Sequence, residues 1–374
     1  MTAPGLEAIT AAELDRLGLA PGAPETGGIP FDAALLDLAR ANLWLRTASR
    51  ILVRVAHFHA RALGELERKT SSIGWNDWLP AGVPVEIRVT SRKSRLYHQK
   101  AIAERIARPL QAGGWKVTSG RSGDLDAEEG DAAGEGPGPQ LIVVRVFRDE
   151  CAISLDSSGG LLHRRGYRLA TARAPLRETL AAALLLASGW DPVTPLIDPF
   201  AGSGTIPIEA ALLARGIPPG RHRSFAFQRW AGWNGADWER LLAEADRQAL
   251  PRAPAPILAC DRDAGAVRAI QANAERAGVG DDLEIRQAAL SALVPPPGTG
   301  ALVTNPPYGV RIGERRDLRD LYARLGQLAR ERLTGWRVTM LLPDFPFERH
   351  TGLGFREVFA TSNGGLRVRG VTQT

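Results

Sequence analysis

The sequence predicts an α/β protein in which a small α+β unit precedes a parallel sheet flanked by helices. Three observations carry this. From Ala174 onward, apolar runs of strand length alternate with helical periods. Before it, period-two strands and one amphipathic helix are interrupted by a glycine-rich, acidic stretch. Two loops, Asp198-Pro-Phe-Ala-Gly-Ser-Gly-Thr205 and Asn305-Pro-Pro-Tyr-Gly309, each follow an apolar run, where open α/β sheets bind ligands.

At 374 residues and 44% hydrophobic, the chain has apolar material for two or three domains. No apolar run approaches membrane-spanning length, and Met1 to Thr10 lacks a basic end followed by a hydrophobic stretch. A soluble, cytoplasmic protein follows from this reading; the oligomeric state is not set by it, with a monomer as the default expectation. Cys151 and Cys260 cannot build a disulfide framework or a structural zinc site, and their strand-like settings suit buried, inert thiols.

In the front half, helical material is expected at 33–45, a strand at 83–89 and a helix at 97–110 with Ile102, Ile106 and Leu110 on one face. Residues 111–140 should be a mobile loop, and 141–147 and 151–155 two strands joined by a turn. In the back half, strands are expected near 195–198, 257–260, 283–286, 301–304 and 337–342. Helices are expected over 176–187, 206–215, 264–277 and 318–333. A tryptophan-rich insertion, 225–250, is read as a hydrophobic plug over the sheet edge, with base stacking as the alternative.

Net charge is +6, and its distribution matters more than its size. Between Arg40 and Leu110 there are fourteen Arg or Lys against five Asp or Glu, a local excess of nine (14 minus 5). Such an excess suits phosphate backbones through counterion release. Arg46, Arg50, Arg92, Lys93, Arg95 and Lys100 are the candidate nucleic-acid backbone contacts.

The first loop places Gly202, Ser203 and Gly204 at a helix start, where free N–H groups and close backbone approach favour a ligand. Pro207 stands where a dinucleotide fingerprint would put its third glycine, so a nucleotide-sized ligand without a diphosphate fits better. S-adenosylmethionine is such a ligand, with Asp198 beside its cationic end and Phe200 in the same loop. Asp261, closing the second strand, is the candidate ribose acceptor, with Arg262 next to it. Asp263 is the alternative acceptor, or the cap of the following helix. At the second loop, the Asn305 side-chain oxygen and the Pro306 carbonyl are two acceptors for a conjugated exocyclic amine. Tyr308 offers a ring face to a flipped base. No metal, nucleophile or titrating base is required; positioning and electrostatics would supply the rate.

These residues together resemble the THUMP-domain RNA methyltransferases that form 2-methylguanosine, above all the bacterial large-subunit ribosomal RNA family. The likeness runs along nearly the whole chain. It includes Pro4-Gly-Leu-Glu7, Leu45-Arg-Thr-Ala-Ser-Arg50, Ile73-Gly-Trp75, Ser154-Leu-Asp156, Leu162-His-Arg-Arg-Gly-Tyr-Arg168 and Ala174-Pro-Leu-Arg-Glu-Thr-Leu-Ala181. The resemblance implies a Rossmann-like class I methyltransferase domain with a mixed, mostly parallel seven-stranded sheet, preceded by a THUMP and ferredoxin-like region. It implies a ferredoxin-like part at 1–42, a THUMP RNA-binding domain at 43–156, a linker at 157–173 and the methyltransferase at 174–374. It adds Thr179 as a donor contact. It also exposes a departure: Ala289 occupies the place where the family puts an acid for the adenine amino group.

The expected activity is methylation of a guanine N2 amine in RNA, ribosomal in the first instance and transfer RNA in the second. An adenine-N6 DNA methyltransferase shares the Asn-Pro-Pro-Tyr loop, but the basic front half argues against DNA. A non-catalytic RNA-binding factor is the reading from a different class, and labelled donor binding separates it from an enzyme.

Overall fold

The structure, a computed structural model, describes residues 1–119, 138–168, 176–308 and 315–374. In the front half, the helices are α1 (Glu7–Arg16), α2 (Leu35–Trp44), α3 (Leu63–Ser71) and α4 (Gln99–Ala112). The strands are β1 (Leu52–His59), β2 (Val85–Arg92), β3 (Val117–Ser119), β4 (Gln140–Phe147) and β5 (Glu150–Asp156). They form a five-stranded sheet in the order β1-β5-β4-β2-β3. Strand β2 alternates, burying Val85, Ile87 and Val89, and α4 lays Ile102, Ile106 and Leu110 on that face. Each of these fully buried aliphatic side chains contributes about 1.5–3 kcal/mol. The loop expected over 111–140 is ordered at its start, since β3 pairs in parallel with β2. The acidic run at 120–137 lies outside the described residues.

The back half holds α5 (Glu178–Ser188), α6 (Thr205–Ala214), α7 (Gly235–Gln248), α8 (Ala264–Arg276) and α9 (Arg315–Arg332). Its strands are β6 (Leu196–Asp198), β7 (Ile257–Asp261), β8 (Leu283–Gln287), β9 (Ala301–Thr304), β10 (Arg337–Pro343), β11 (Phe355–Asn363) and β12 (Leu366–Gln373). The seven strands run β11-β12-β10-β9-β6-β7-β8, parallel except around β12. Ile257 and Ala259 face one core, Leu258 and Cys260 the other, so the central strands are buried on both sides. This is why they read as unbroken apolar runs. The α/β expectation therefore holds, and a β11–β12 hairpin turning at Gly364-Gly365 completes the sheet. Both cysteines are buried free thiols, with burial pushing Cys151 up to about 12 and Cys260 up to about 11.

The tryptophan-rich insertion plugs a different surface from the one expected. Phe225, Phe227, Trp230 and Leu241 join the core of the front unit, with Trp233 and Trp238 packed against it. Trp230 stands edge-on to Trp78, with ring centroids 5.4 Å apart, and its indole N–H donates to the Gln140 amide oxygen at 2.8 Å. At 4% exposure, Trp230 has no face left for a base. The front core is thus completed by a segment from between two strands of the back sheet.

Candidate active site

Strand order reverses between β6 and β9: the chain leaves β6 toward β7 and β8, and leaves β9 toward β10 and the hairpin. A crevice opens at the carboxyl ends there, and both loops picked out in the sequence lie in it. Asp198 ends β6 and Thr304 ends β9. The Thr304 hydroxyl donates to Asp198 Oδ1 at 2.6 Å, and the Phe200 N–H donates to the same oxygen at 3.1 Å. Next, the Gly202 N–H donates to Asp261 Oδ2 at 2.9 Å, and the Asp263 N–H to Asp261 Oδ1 at 3.0 Å. Asp263 itself caps α8, accepting from the Ala266 N–H at 2.8 Å. Asp261 therefore stays at the crevice, while Asp263 is committed to its helix.

The loop needs its glycines. Gly202 and Gly204 have φ of +56° and +87°, and a Cβ on Gly204 would come within 3.0 Å of Ile270. Asn273 on α8 donates to the Ser203 carbonyl at 2.9 Å. A cavity of about 810 Å³ lies above the loop, a volume suited to a nucleotide-sized molecule. Asp198, Phe200, Gly202, Ser203, Asp261, Arg262 and Asn305 all line it, as do Ala288 and Ala289. Gly204 lies beneath it, Pro306 is buried and Tyr308 is half-buried, while the exposed Pro307 reaches the wall. Tyr308 packs on the cluster containing Tyr322 and Phe347.

Two groups at the crevice are held in costly states. Burial pushes the Asp198 carboxyl up to about 7, aided by Asp261 and opposed by the bonds from Thr304 and Phe200. The Asn305 side-chain oxygen is buried and, among the described residues, has no hydrogen-bond partner. Such an acceptor costs about 1–3 kcal/mol, which marks a place awaiting a donor.

This crevice joins comparisons with known proteins. A family profile described as "RMKL-like, methyltransferase domain" matches residues 165–366, more than half of the chain. The chain belongs to the RMKL-like methyltransferase family. A second profile, the "RlmL ferredoxin-like domain", matches 1–52. YpsC of Bacillus subtilis (strain 168), provisionally named an RNA methyltransferase, is 38% identical over 94% of this chain and 89% of its own. The ribosomal RNA large subunit methyltransferase K/L of Syntrophotalea carbinolica is 34% identical over 98% of this chain, which spans 52% of that protein. In other words, the chain covers about half the length of the K/L relatives. Among solved structures, SMU.472, a provisionally assigned methyltransferase complexed with SAH, is similar at TM-score 0.84 and 31% identity over 99% of this chain and 96% of that one. A Listeria monocytogenes protein named as an N6-adenine-specific DNA methylase is similar at TM-score 0.83 and 34% identity, over 99% and 94%. This RMKL-like protein is an S-adenosylmethionine-dependent methyltransferase. An acid at the end of β7, a glycine turn that lets a ligand approach the backbone closely and a buried carboxylate for a cationic group fit that donor.

Three expectations about this RMKL-like enzyme need correction. Thr179 lies away from the donor cavity, in a smaller one beside Leu6, Thr47 and His163. Three residues earlier, just before α5, Leu176 is the residue of that segment that lines the donor cavity. Arg46 and Arg50 are not surface contacts for RNA but buried, at 6% and 3% exposure. Arg46 donates to the Ile217 carbonyl at 2.7 Å, while Arg50 pairs with the buried Asp156 and donates to the Gly159 carbonyl at 2.7 Å. Arg46 thus joins the two halves of the molecule, while Arg50 ties the front sheet to the linker that follows it. Arg92, Lys93, Arg95 and Lys100 are exposed.

Several cavity residues escaped the sequence reading. Thr205, Leu318, Leu321 and Arg324 line the same space. Arg168, from the linker, donates to the Thr205 hydroxyl and to the Leu176 carbonyl, both at 2.8 Å, and pairs with Glu178 at 3.3 Å. It ties two walls of the cavity together. Thr205 closes the first loop, and Leu318, Leu321 and Arg324 fall in the helix expected over 318–333; their place on the cavity wall was not readable beforehand.

Proposed function

We propose that this methyltransferase transfers the methyl group of S-adenosylmethionine to the exocyclic N2 amine of a guanosine in RNA, in 23S ribosomal RNA. The unpartnered Asn305 oxygen at the wall of the donor cavity carries this reading. An exocyclic amine is a poor nucleophile because its lone pair is conjugated into the ring. Asn305 and the Pro306 carbonyl accept its two N–H groups, which favours the pyramidal form, and Tyr308 stacks on the base. The nitrogen gains the methyl carbon as the donor's S–C bond breaks, its electron pair staying on sulfur as a neutral thioether, and gives up a proton to water, so no protein base is needed. The donor supplies an activated methyl group; Asp198, Phe200, Gly202, Ser203, Asp261 and Arg262 hold it, with Leu176 in place of Thr179.

RNA as the substrate class is supported by the basic front half and by the names of the relatives. The Listeria relative's name shares the amine chemistry but puts it on adenine in DNA; the excess of cations on a unit separate from the catalytic sheet favours RNA. We assign 43–156 to RNA docking and 174–374 to catalysis, in the cytoplasm. Nucleoside mass spectrometry on ribosomal and transfer RNA from a deletion strain tests this. Loss of 2-methylguanosine from 23S RNA is expected. Its loss from transfer RNA alone would move the substrate, and unchanged 2-methylguanosine in both would sink the guanine assignment.

A further inference from the structure

Among the described residues, three aromatic rings are strongly exposed: Tyr97 at 66%, Phe147 at 49% and Phe345 at 41%. Two of these share one end of the front sheet. Phe147 closes β4 and is register partner to Arg92, the last residue of β2. Tyr97 lies in the connection from β2 to α4, which is tied to the β4–β5 turn by the Arg95 N–H donating to Asp149 Oδ1 at 2.7 Å and the Asp149 N–H to the Ser94 hydroxyl at 3.1 Å.

The tip is built at a cost. Lys93, Arg148 and Asp149 all hold positive φ, at 52°, 53° and 67°, a conformation non-glycine residues avoid unless the surroundings impose it. Each ring is also backed. The His98 ring lies 4.0 Å from Tyr97 at 39°, and the Arg148 guanidinium sits 5.1 Å over Phe147. Around them stand the exposed Arg92, Lys93, Arg95 and Lys100. Of the nearby acids, Asp149 pairs with Arg61 at 3.2 Å, and Glu150 lies 3.7 Å from the His57 ring.

Cations alone would suit a duplex backbone. Rings that project from a tip gain nothing from bases closed inside a helix, but stack readily on unpaired ones. We propose that this tip is a docking site for unpaired RNA, with Tyr97 and Phe147 as stacking platforms and Arg92, Lys93, Arg95 and Lys100 as phosphate contacts. The proposal rests on RNA being the substrate, and specifies which kind of RNA segment the front unit grips.

The test measures binding of the full chain to labelled oligouridine and to a blunt-ended RNA duplex with the same number of phosphates, across a salt series. Tyr97→Ala and Phe147→Ala should each weaken oligouridine binding by about fivefold or more and leave duplex binding within about twofold. Their salt slopes should match the parent's, and Tyr97→Phe should restore binding. Arg92→Ala should instead flatten the salt slope by about one for both RNAs. Both rings are exposed, so the variants should fold; matching melting curves check this. Equal losses on both RNAs, or none, would overturn the tip while leaving the RNA reading intact. Failure of the parent chain to bind either RNA would overturn both.

Discussion

Asp198 ends β6 and Asn305 directly follows the neighbouring β9, yet the two should respond differently to mutation. Asn305→Ala removes an acceptor that the donor does not need. Its kcat should fall by about 10²–10³, with donor affinity within about twofold, as measured by isothermal titration calorimetry beside single-turnover rates. Near-normal turnover would remove Asn305 from the chemistry. Asp198 is neutral below about pH 7 and ionised above it, because burial raises its carboxyl. A cationic donor binds the ionised form, so affinity should rise roughly tenfold from pH 6 to pH 8, with proton release on binding near neutrality. Asp198→Asn should flatten that profile. Ala289, on the cavity wall, offers a gain instead: Ala289→Asp should tighten donor binding about fivefold by adding one hydrogen bond.

At the scale of elements, the donor cavity depends on the linker as much as on the sheet. Arg168 holds the first residue of α6 to the segment just before α5, and its partner Glu178 is buried with a carboxyl pushed up to about 7 by that burial, with Arg168 opposing the shift. Arg168→Ala should raise the KM for the donor by about tenfold while kcat at saturating donor changes little, since the walls drift but Asn305 stays. An equal loss in kcat would mean that the linker acts on the target amine.

The same scale shows what could be read in advance. Strands β6, β7 and β9 were legible because burial on both faces leaves uninterrupted apolar runs, and α8 because an acid caps a periodic helix. By contrast, β1 and β11 escaped: Arg54, His57, Arg356 and Glu357 interrupt their apolar positions, and half-exposed strands with that composition resemble surface loops. Arg46 and Arg50 misled for a related reason. Charge is visible in a sequence but its burial is not; the partner of Arg50, Asp156, lies 106 residues away.

For the whole molecule, the division into a front unit and a catalytic unit describes chemistry better than it describes packing. Buried arginines bridge the halves, and the front core contains Phe225, Phe227, Trp230 and Leu241 from the insertion. Leu6, near the other extreme, belongs to the catalytic core with Phe359, and Gly5 leaves no room for a Cβ against the Ala360 backbone. These interleavings have a kinetic meaning. During synthesis the five-stranded sheet can pair its strands early, yet its aromatic seal waits for about seventy further residues (225 minus 156), and the arm around Leu6 waits for β11 to leave the ribosome. Contacts so distant along the chain form late. The earliest residues made are thus among the last to be locked in place, and the folding chain must keep Leu6 and the Trp78 edge from other partners until the rest arrives.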